Sequence, residues 1–140
     1  MSATPPKALP PSPTLTPVNR PYWEALAQGT LQFQACACGH RWLPPREACP
    51  VCLGTDWRWT PACGRASLVS WTVFHVAYHP AFADRLPYNV AVVELVEGPR
   101  MISNIISSPD GTCLKIGMPL TLAIEQESDE MKTAVARFKT

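Results

Sequence analysis

No part of this chain approaches the run of ~18 apolar residues that a membrane-spanning helix needs, although 46% of its 140 residues are hydrophobic. That fraction suffices for a core. The N-terminus also lacks the basic-then-apolar order of a secretory signal. The expected setting is therefore the cytoplasm, where six cysteines serve as metal ligands or free thiols more readily than as cystines. Excess charge is missing too: 12 Lys and Arg against 11 Asp and Glu leave a net +1, which gives little attraction to nucleic acid or an anionic membrane surface. The motifs of self-contained enzymes are absent, with no Gly-rich phosphate loop, no G-x-S-x-G and no H-E-x-x-H. None of the three histidines, His40, His75 and His79, sits in a nucleophile or metalloprotease pattern. His75 falls in a predicted strand and reads as a half-buried structural residue. Cys113 follows a D-G-T turn but has no basic neighbour to favour a thiolate, so it and Cys63 read as small buried or idle thiols. No catalytic residue is expected in this chain, and no internal repeat is visible.

What the chain does have is a close set of sulfurs between residues 36 and 52, C-A-C-G-H-R-W-L-P-P-R-E-A-C-P-V-C. Two pairs, Cys36/Cys38 and Cys49/Cys52, are separated by ten residues. Four thiolates converging from two turns are what a tetrahedral structural zinc site requires, at Zn–S distances of about 2.3 Å. The second pair, C-P-V-C-L-G, has knuckle form, with two intervening residues and a following glycine that can take positive φ. The first pair is one residue short, which predicts a weaker hold on metal there. His40, two residues after Cys38, is the candidate to replace a badly placed sulfur. Two other readings stay open. One is a disulfide between the pairs, which the missing secretory signal disfavours; the other is a ribbon that keeps its shape without metal.

At this length there is room for one ordinary domain, or for a small ribbon beside a compact barrel. Residues 1–18 carry six prolines and almost no bulky apolar groups. Such a segment cannot bury enough surface to offset its ordering entropy, and it is read as a disordered, polyproline-like lead. Residues 19–30 form a docking helix, with Asn19 as N-cap, Pro21 in the first turn and Gly29 just past the end. Tyr22, Ala25 and Leu26 share one face, which Trp23 widens. So short a helix must dock, either on the chain's own ribbon or barrel or on a partner.

Residues 31–61 make the ribbon. Leu31-Gln32-Phe33-Gln34 leads in by alternation, and Trp42, Trp57 and Trp59 are expected to cover the metal site. Arg41, Arg46, Arg58 and Arg65 stand against Glu47 and Asp56 there, a modest basic excess that suits a phosphate-bearing ligand. From residue 62 to 140 the pattern is β throughout. Strands are predicted at 65–76, 88–96, 100–107, 120–127 and 133–138, with turns at Glu97-Gly98-Pro99 and Ser108-Pro109-Asp110-Gly111. Five strands, the first long and bent, make an OB-type barrel. The insert at 77–87 carries His79 and Phe82 and leads into Tyr88; loops on a rigid barrel are where binding is usually placed.

Taken in order, N-R-P-Y-W-E-A-L-A-Q-G-T-L, C-x-C-G…P-P-R…C-P-x-C, C-G-R-A-S-L-V-S-W-T-V, P-Y-N-V-A-V-V-E-L-V-E-G-P-R and L-K-I-G-M-P-L resemble the zinc-ribbon plus OB-fold proteins first catalogued as domain of unknown function thirty-five. The resemblance covers residues 19 to about 138. It implies a mainly β fold: an N-terminal helix, a rubredoxin-like zinc ribbon and a C-terminal five-stranded OB barrel. It also implies a small acyl-CoA-associated subunit that is not an enzyme alone. Such subunits assemble with thiolases, with thiolase-like aldolases of sterol side-chain breakdown, with hydroxymethylglutaryl-CoA synthase or with hotdog-fold hydratases. The partner, expected as a dimer at the centre of a hetero-oligomer, holds the catalytic residues. The small subunit completes the CoA site or stabilises the partner. Cys36, Cys38, Cys49 and Cys52 match the metal positions, Cys36 only with one residue deleted from the first knuckle. Cys63 stands where the family commonly has serine.

The chemistry of such a ligand agrees in kind. CoA needs a few cations for its phosphates and an apolar slot for its acyl chain. Trp23, Arg46, Phe74, Phe82 and Tyr88 are the expected contacts to acyl-CoA or the partner, with Trp71 in the same aromatic set. A different class competes, because ribbon and OB folds also bind single-stranded nucleic acid on aromatic platforms in basic grooves. Against it, residues 62–140 hold seven basic and eight acidic side chains, and Glu125, Glu127, Asp129 and Glu130 cluster late in the chain. The subunit of a thiolase-like enzyme is preferred, with zinc as structural cofactor and acyl-CoA as ligand; a hydratase subunit is the alternative. No nucleic-acid or membrane partner is expected.

Overall fold

The computed structural model describes residues 8–127 and 133–140, so Asp129 and Glu130 of the late acidic cluster lie outside the described residues. The first helix, α1 (Arg20–Ala27), is prepared one turn ahead of its start. Thr16 N donates to Asn19 Oδ1 (2.7 Å), and Asn19 N donates to Thr16 Oγ1 (3.1 Å). This is a reciprocal capping box in which Pro17 takes the first position after the cap. Asn19 stands at the N-cap position of α1, as expected, but its side chain makes no bond to the helix. Its amide is engaged by Thr16 and by Thr14 O (3.0 Å). At the other end Gly29 takes φ +90°, and the Thr30 amide returns to Ala25 O (2.9 Å), closing the last turn as a glycine past the cap allows.

Helix α1 docks on its own chain. Tyr22 and Leu26 join Leu31, Phe33, Leu68, Val93, Leu95, Ile105, Leu120 and Phe138 in one buried cluster. Each fully buried Leu or Phe of this kind contributes roughly 1.5–3 kcal/mol of apolar burial. The chain then forms a three-stranded antiparallel ribbon, β1 (Gln32–Cys36), β2 (Arg41–Trp42) and β3 (Trp57–Pro61), in the order β2-β1-β3.

A second sheet follows, from β4 (Arg65–Phe74), β5 (Tyr88–Leu95), β6 (Arg100–Ser103), β7 (Pro119–Gln126) and β8 (Ala134–Lys139), in the order β6-β5-β4-β7-β8. Strand β4 serves two sides of it: Ala66 to Phe74 pair with β5, while Arg65 to Ser67 pair with β7. A register shift between Leu68 and Ser70 bends it, as an extra residue in one strand does. The parallel bridge Ile105–Phe138 carries the chain beyond β6 across to β8, through Ile106 N to Phe138 O (2.9 Å) and Phe138 N to Asn104 O (3.0 Å). The result is a mainly β molecule in which the five strands of the second sheet form a nearly closed barrel of OB type.

Three differences from the sequence reading have local causes. Strand β6 stops at Ser103 and not at residue 107, because the Asn89 side chain captures the next backbone. Asn89 Oδ1 accepts from Ile105 N (2.7 Å), and its Nδ2 donates to Ile105 O (2.9 Å) and Ser108 O (2.8 Å). Strand β4 ends at Phe74, so His75 stands beyond it and is exposed. Cys63 and Cys113, read as buried or idle thiols, are exposed. Among the described residues no helix is long and apolar enough to cross a membrane.

Candidate metal centre and binding groove

The irregular first cysteine pair is the tip of the β1–β2 hairpin. Cys36 N donates to His40 O and Gly39 N to Cys36 O, both at 2.9 Å, and Gly39 sits at φ +96°. That left-handed glycine turns the chain in one residue fewer than a knuckle needs. In the second pair the positive φ falls on Leu53 (+62°) and not on Gly54. Gly54 is fitted for another reason: a Cβ there would lie 3.3 Å from Cys52 Sγ.

The four sulfurs come together. Cys36 Sγ and Cys52 Sγ are 3.5 Å apart, Cys38 Sγ and Cys49 Sγ 3.7 Å, and all four lie within 4.8 Å of one another. A tetrahedron of sulfurs around a metal at about 2.3 Å has edges of about 3.8 Å, so the donor set fits a metal ion. Amides face the second pair, from Val51 N to Cys49 Sγ and Gly54 N to Cys52 Sγ, each at 3.4 Å. Burial pushes the Cys49 thiol up, but the Cys52 and Val51 amides and the Cys38 and Cys52 thiols outweigh it and bring its pKa to about 7. At Cys36 the Cys38 amide pulls downward, yet burial and the neighbouring thiols leave it at about 12. Of these two thiols, Cys49 gives up its proton the more readily.

Trp42 and Trp57 pack against Cys36 and Cys49. Trp59 does not: it packs against the barrel core, 6.2 Å from the Tyr22 ring. His40 lies parallel to Trp42 at 5.8 Å and is not one of the four clustered donors. Gln34, fully buried, fastens the loop between the pairs by donating to Arg46 O (2.6 Å) and accepting from Arg46 N (2.8 Å).

An open groove of about 840 Å³ runs along the barrel. Trp23 from α1, Phe82 from the 3-10 helix Pro80–Arg85, and Tyr88 at the start of β5 face it. The His79 ring holds that short helix by accepting from Ala81 N at 3.1 Å. Phe74 stacks behind Tyr88 (5.3 Å, 20°) without lining the groove. Arg46 is elsewhere, on a smaller pocket between ribbon and barrel. The five expected contacts are thus divided: three at the groove, one behind it, one apart. From the proline-rich lead, residues 8–15 form no helix or strand, but Pro10 is buried and it and Pro11 line the groove.

Sequence reasoning missed the polar end of this groove. Arg137 bonds Glu125 Oε2 (3.1 Å) and Glu127 Oε2 (2.8 Å), and its Nε donates to Asn104 Oδ1 (3.3 Å). Arg85 bonds Glu127 Oε1 (2.7 Å) and lies 5.0 Å over the Phe82 ring. The available signal was Glu125-x-Glu127, two carboxylates on one face of a strand. Two guanidinium groups and two carboxylates leave this end polar but near neutral. Tyr22 also borders the groove, and burial pushes its hydroxyl pKa up to about 12. The groove therefore offers rings and paired charges, suited to an apolar chain with a few polar atoms.

A family model described as the ChsH2 C-terminal OB-fold domain matches residues 59–125. The chain is 39% identical over 134 residues to a probable enoyl-CoA hydratase alpha subunit of Thermomonospora curvata, covering 94% of itself and 41% of that protein. It is 34% identical over 70 residues to a DUF35 domain-containing scaffold protein of Methanocaldococcus jannaschii, 49% of each chain. It thus spans less than half the length of either curated relative. Among solved structures it matches a chain of the Ltp2-ChsH2(DUF35) aldolase with a TM-score of 0.78 and 35% identity, over 91% of this chain and 98% of that one. A DUF35-family protein of unknown function from Sulfolobus solfataricus matches with a TM-score of 0.61 at 16% identity, over 89% of this chain and 85% of that one, a likeness of fold alone.

Proposed function

This chain belongs to the DUF35 family of OB-fold proteins, and we propose that it is a non-catalytic subunit of an acyl-CoA-processing complex, beside a thiolase-like or aldolase catalytic partner. The observation that carries the reading is the likeness, along almost all of both chains, to a component of the Ltp2-ChsH2(DUF35) aldolase. A second reading has its own support: the similarity to a probable enoyl-CoA hydratase alpha subunit favours a hydratase partner.

In this reading Cys36, Cys38, Cys49 and Cys52 would hold a structural zinc ion. Four sulfurs complete its coordination, so the metal supplies folding energy and leaves no open position for substrate. Trp23, Phe82 and Tyr88, with Phe74 supporting Tyr88 from behind, take the apolar part of the acyl group. The cytoplasm suits a ligand set of reduced thiols. A nucleic-acid role is not favoured, because Arg85 and Arg137 are matched by Glu125 and Glu127 and offer no cationic track for a backbone.

The test is co-expression of this chain with a thiolase-like catalytic protein, followed by assays for CoA release and for retro-aldol cleavage of a β-hydroxyacyl-CoA. The expected result is a co-purifying complex whose turnover needs this chain and falls when Tyr88→Ala or Phe74→Ala is introduced. Full activity of the partner alone, or turnover by this chain alone, overturns the reading. Hydration of an enoyl-CoA by the complex, without CoA release, selects the hydratase partner.

A further inference from the structure

Of the three tyrosines, Tyr78 stands in water and Tyr88 is half-buried, but Tyr22 is only 8% exposed. Its ring is fixed in the core cluster, edge-on to Trp23 at 5.1 Å and 6.2 Å from Trp59. Its hydroxyl nevertheless makes no hydrogen bond among the described residues, and burial alone accounts for its raised pKa. A phenylalanine would fill the same place without stripping water from a polar atom, which is costly when no partner replaces it. Nor is that oxygen one of the unpartnered polar atoms sealed from solvent, which are Trp42 Nε1 and Glu97 Oε1. The opening that reaches it is the groove, which Tyr22 borders.

The charged side chains at the polar end of the groove are already engaged. Arg85 and Arg137 are paired with Glu125 and Glu127, and the Asn104 amide is divided between Arg137 Nε and Asn89 O. A charged group entering here would have to break those pairs. A neutral oxygen would not, and the Tyr22 hydroxyl is free to meet it. With a pKa of about 12 the phenol stays protonated at neutral pH, so it can donate as well as accept. In a wet groove, water serves this hydroxyl. A bare hydrocarbon chain expels that water and leaves the hydroxyl unpaired, whereas a chain carrying an oxygen replaces what it expels. A site built around a hydrogen bond separates ligands of one shape in this way.

We infer that Tyr22 is a specificity-determining residue of the groove, and that the ligand it selects is an apolar group bearing a neutral oxygen, a hydroxyl or a carbonyl, in place of a plain hydrocarbon. This rests on the reading of the groove as the acyl site and narrows that reading to oxygenated acyl groups.

The test uses the metal-loaded full chain, labelled with ¹³C at the tyrosine ring carbon that bears the hydroxyl. This gives three signals, and Tyr22→Phe identifies that of Tyr22 by its loss. Cyclohexanol probes the oxygen subsite without CoA: it should move the Tyr22 signal to saturation and leave that of Tyr78 in place. Decanoyl-CoA and a set of monohydroxydecanoyl-CoAs, hydroxylated at successive carbons, then probe the acyl site. Tyr22→Phe should weaken the best-placed hydroxy ester about tenfold relative to decanoyl-CoA, and Tyr78→Phe should not. If the esters bind but Tyr22→Phe leaves their relative affinities as they were, the inference is overturned and the acyl reading stands. If no ester binds and cyclohexanol still moves the Tyr22 signal, the oxygen subsite stands and the acyl reading falls. A Tyr22 signal that neither cyclohexanol nor any ester moves overturns the inference outright.

Discussion

In the barrel Leu68, Val93, Leu95, Leu120 and Phe138 are each no more than 2% exposed and share one cluster with α1. In the ribbon the corresponding cluster consists of Cys36, Trp42 and Cys49, with Trp57 against it. The barrel is therefore held by apolar area, distributed over many residues, so that no single contact decides it. The cysteine end of the ribbon is held by whatever joins four sulfurs, plus one buried glutamine, while Phe33 of β1 and Trp59 of β3 tie its other end to the barrel core. Small folds without enough core need such a staple. The lesson is that one chain carries two kinds of stability, and perturbing one should leave the other measurable.

The sharpest separation should come from Cys49→Ser. We expect loss of bound metal and of fixed ribbon structure, read by elemental analysis and by Trp42 and Trp57 near-UV signals, with the barrel strands still protected in hydrogen exchange. Loss of the barrel in the same step would break the comparison. Next in size, Leu26→Ala removes a fully buried side chain and should cost about 2–5 kcal/mol in barrel unfolding by denaturant, while metal content stays unchanged. Gln34→Ala should act on the ribbon alone by leaving the Arg46 amide without its partner, at about 1–3 kcal/mol; the readout is metal affinity against a chelator.

The smallest effect belongs to the barrel turn at Asp110. Its carboxylate accepts from Thr112 N (3.1 Å) and Thr112 Oγ1 (2.9 Å), and the Thr112 amide lowers its pKa from 3.8. A depressed folded-state pKa contributes stability that is present above pH 3.8 and lost as pH falls through the lowered value. Asp110→Asn should flatten the acid limb of the barrel's melting temperature slightly and leave metal content at neutral pH alone. An unchanged acid limb would show that the turn does not titrate with the barrel.

The sulfur cluster and the strands were legible because both are written locally, in the spacing of cysteine pairs and in alternation along the chain. The features that escaped depend on distant partners. Thr16 captures Asn19 from before the helix, which the residue type at Asn19 could not disclose. Strand β6 ends early because Asn89, on another strand, occupies the Ile105 backbone. Arg137 meets Glu125 and Glu127 through the register of β7 on β8, where Ala123 faces Arg137. Arg46 and Tyr88 were grouped by chemistry, yet the fold puts them on different pockets.

Asn89 also decides a dimension. In the β5–β6 register Ala91 faces Ser103, so continued pairing would set the Asn89 backbone against that of Ile105. The side chain makes those bonds instead, and the main chain from Asn104 to Ile106 stands off from β5 by the reach of one amide before it joins β8. Asn89, Asn104, Ile105 and Ile106 all border the groove. The stand-off of this part of the groove wall is thus set by the length of a spacer. Trimming wall residues such as Met101 or Ile102 would change the texture of the slot; a longer or shorter side chain at position 89 would displace the wall itself.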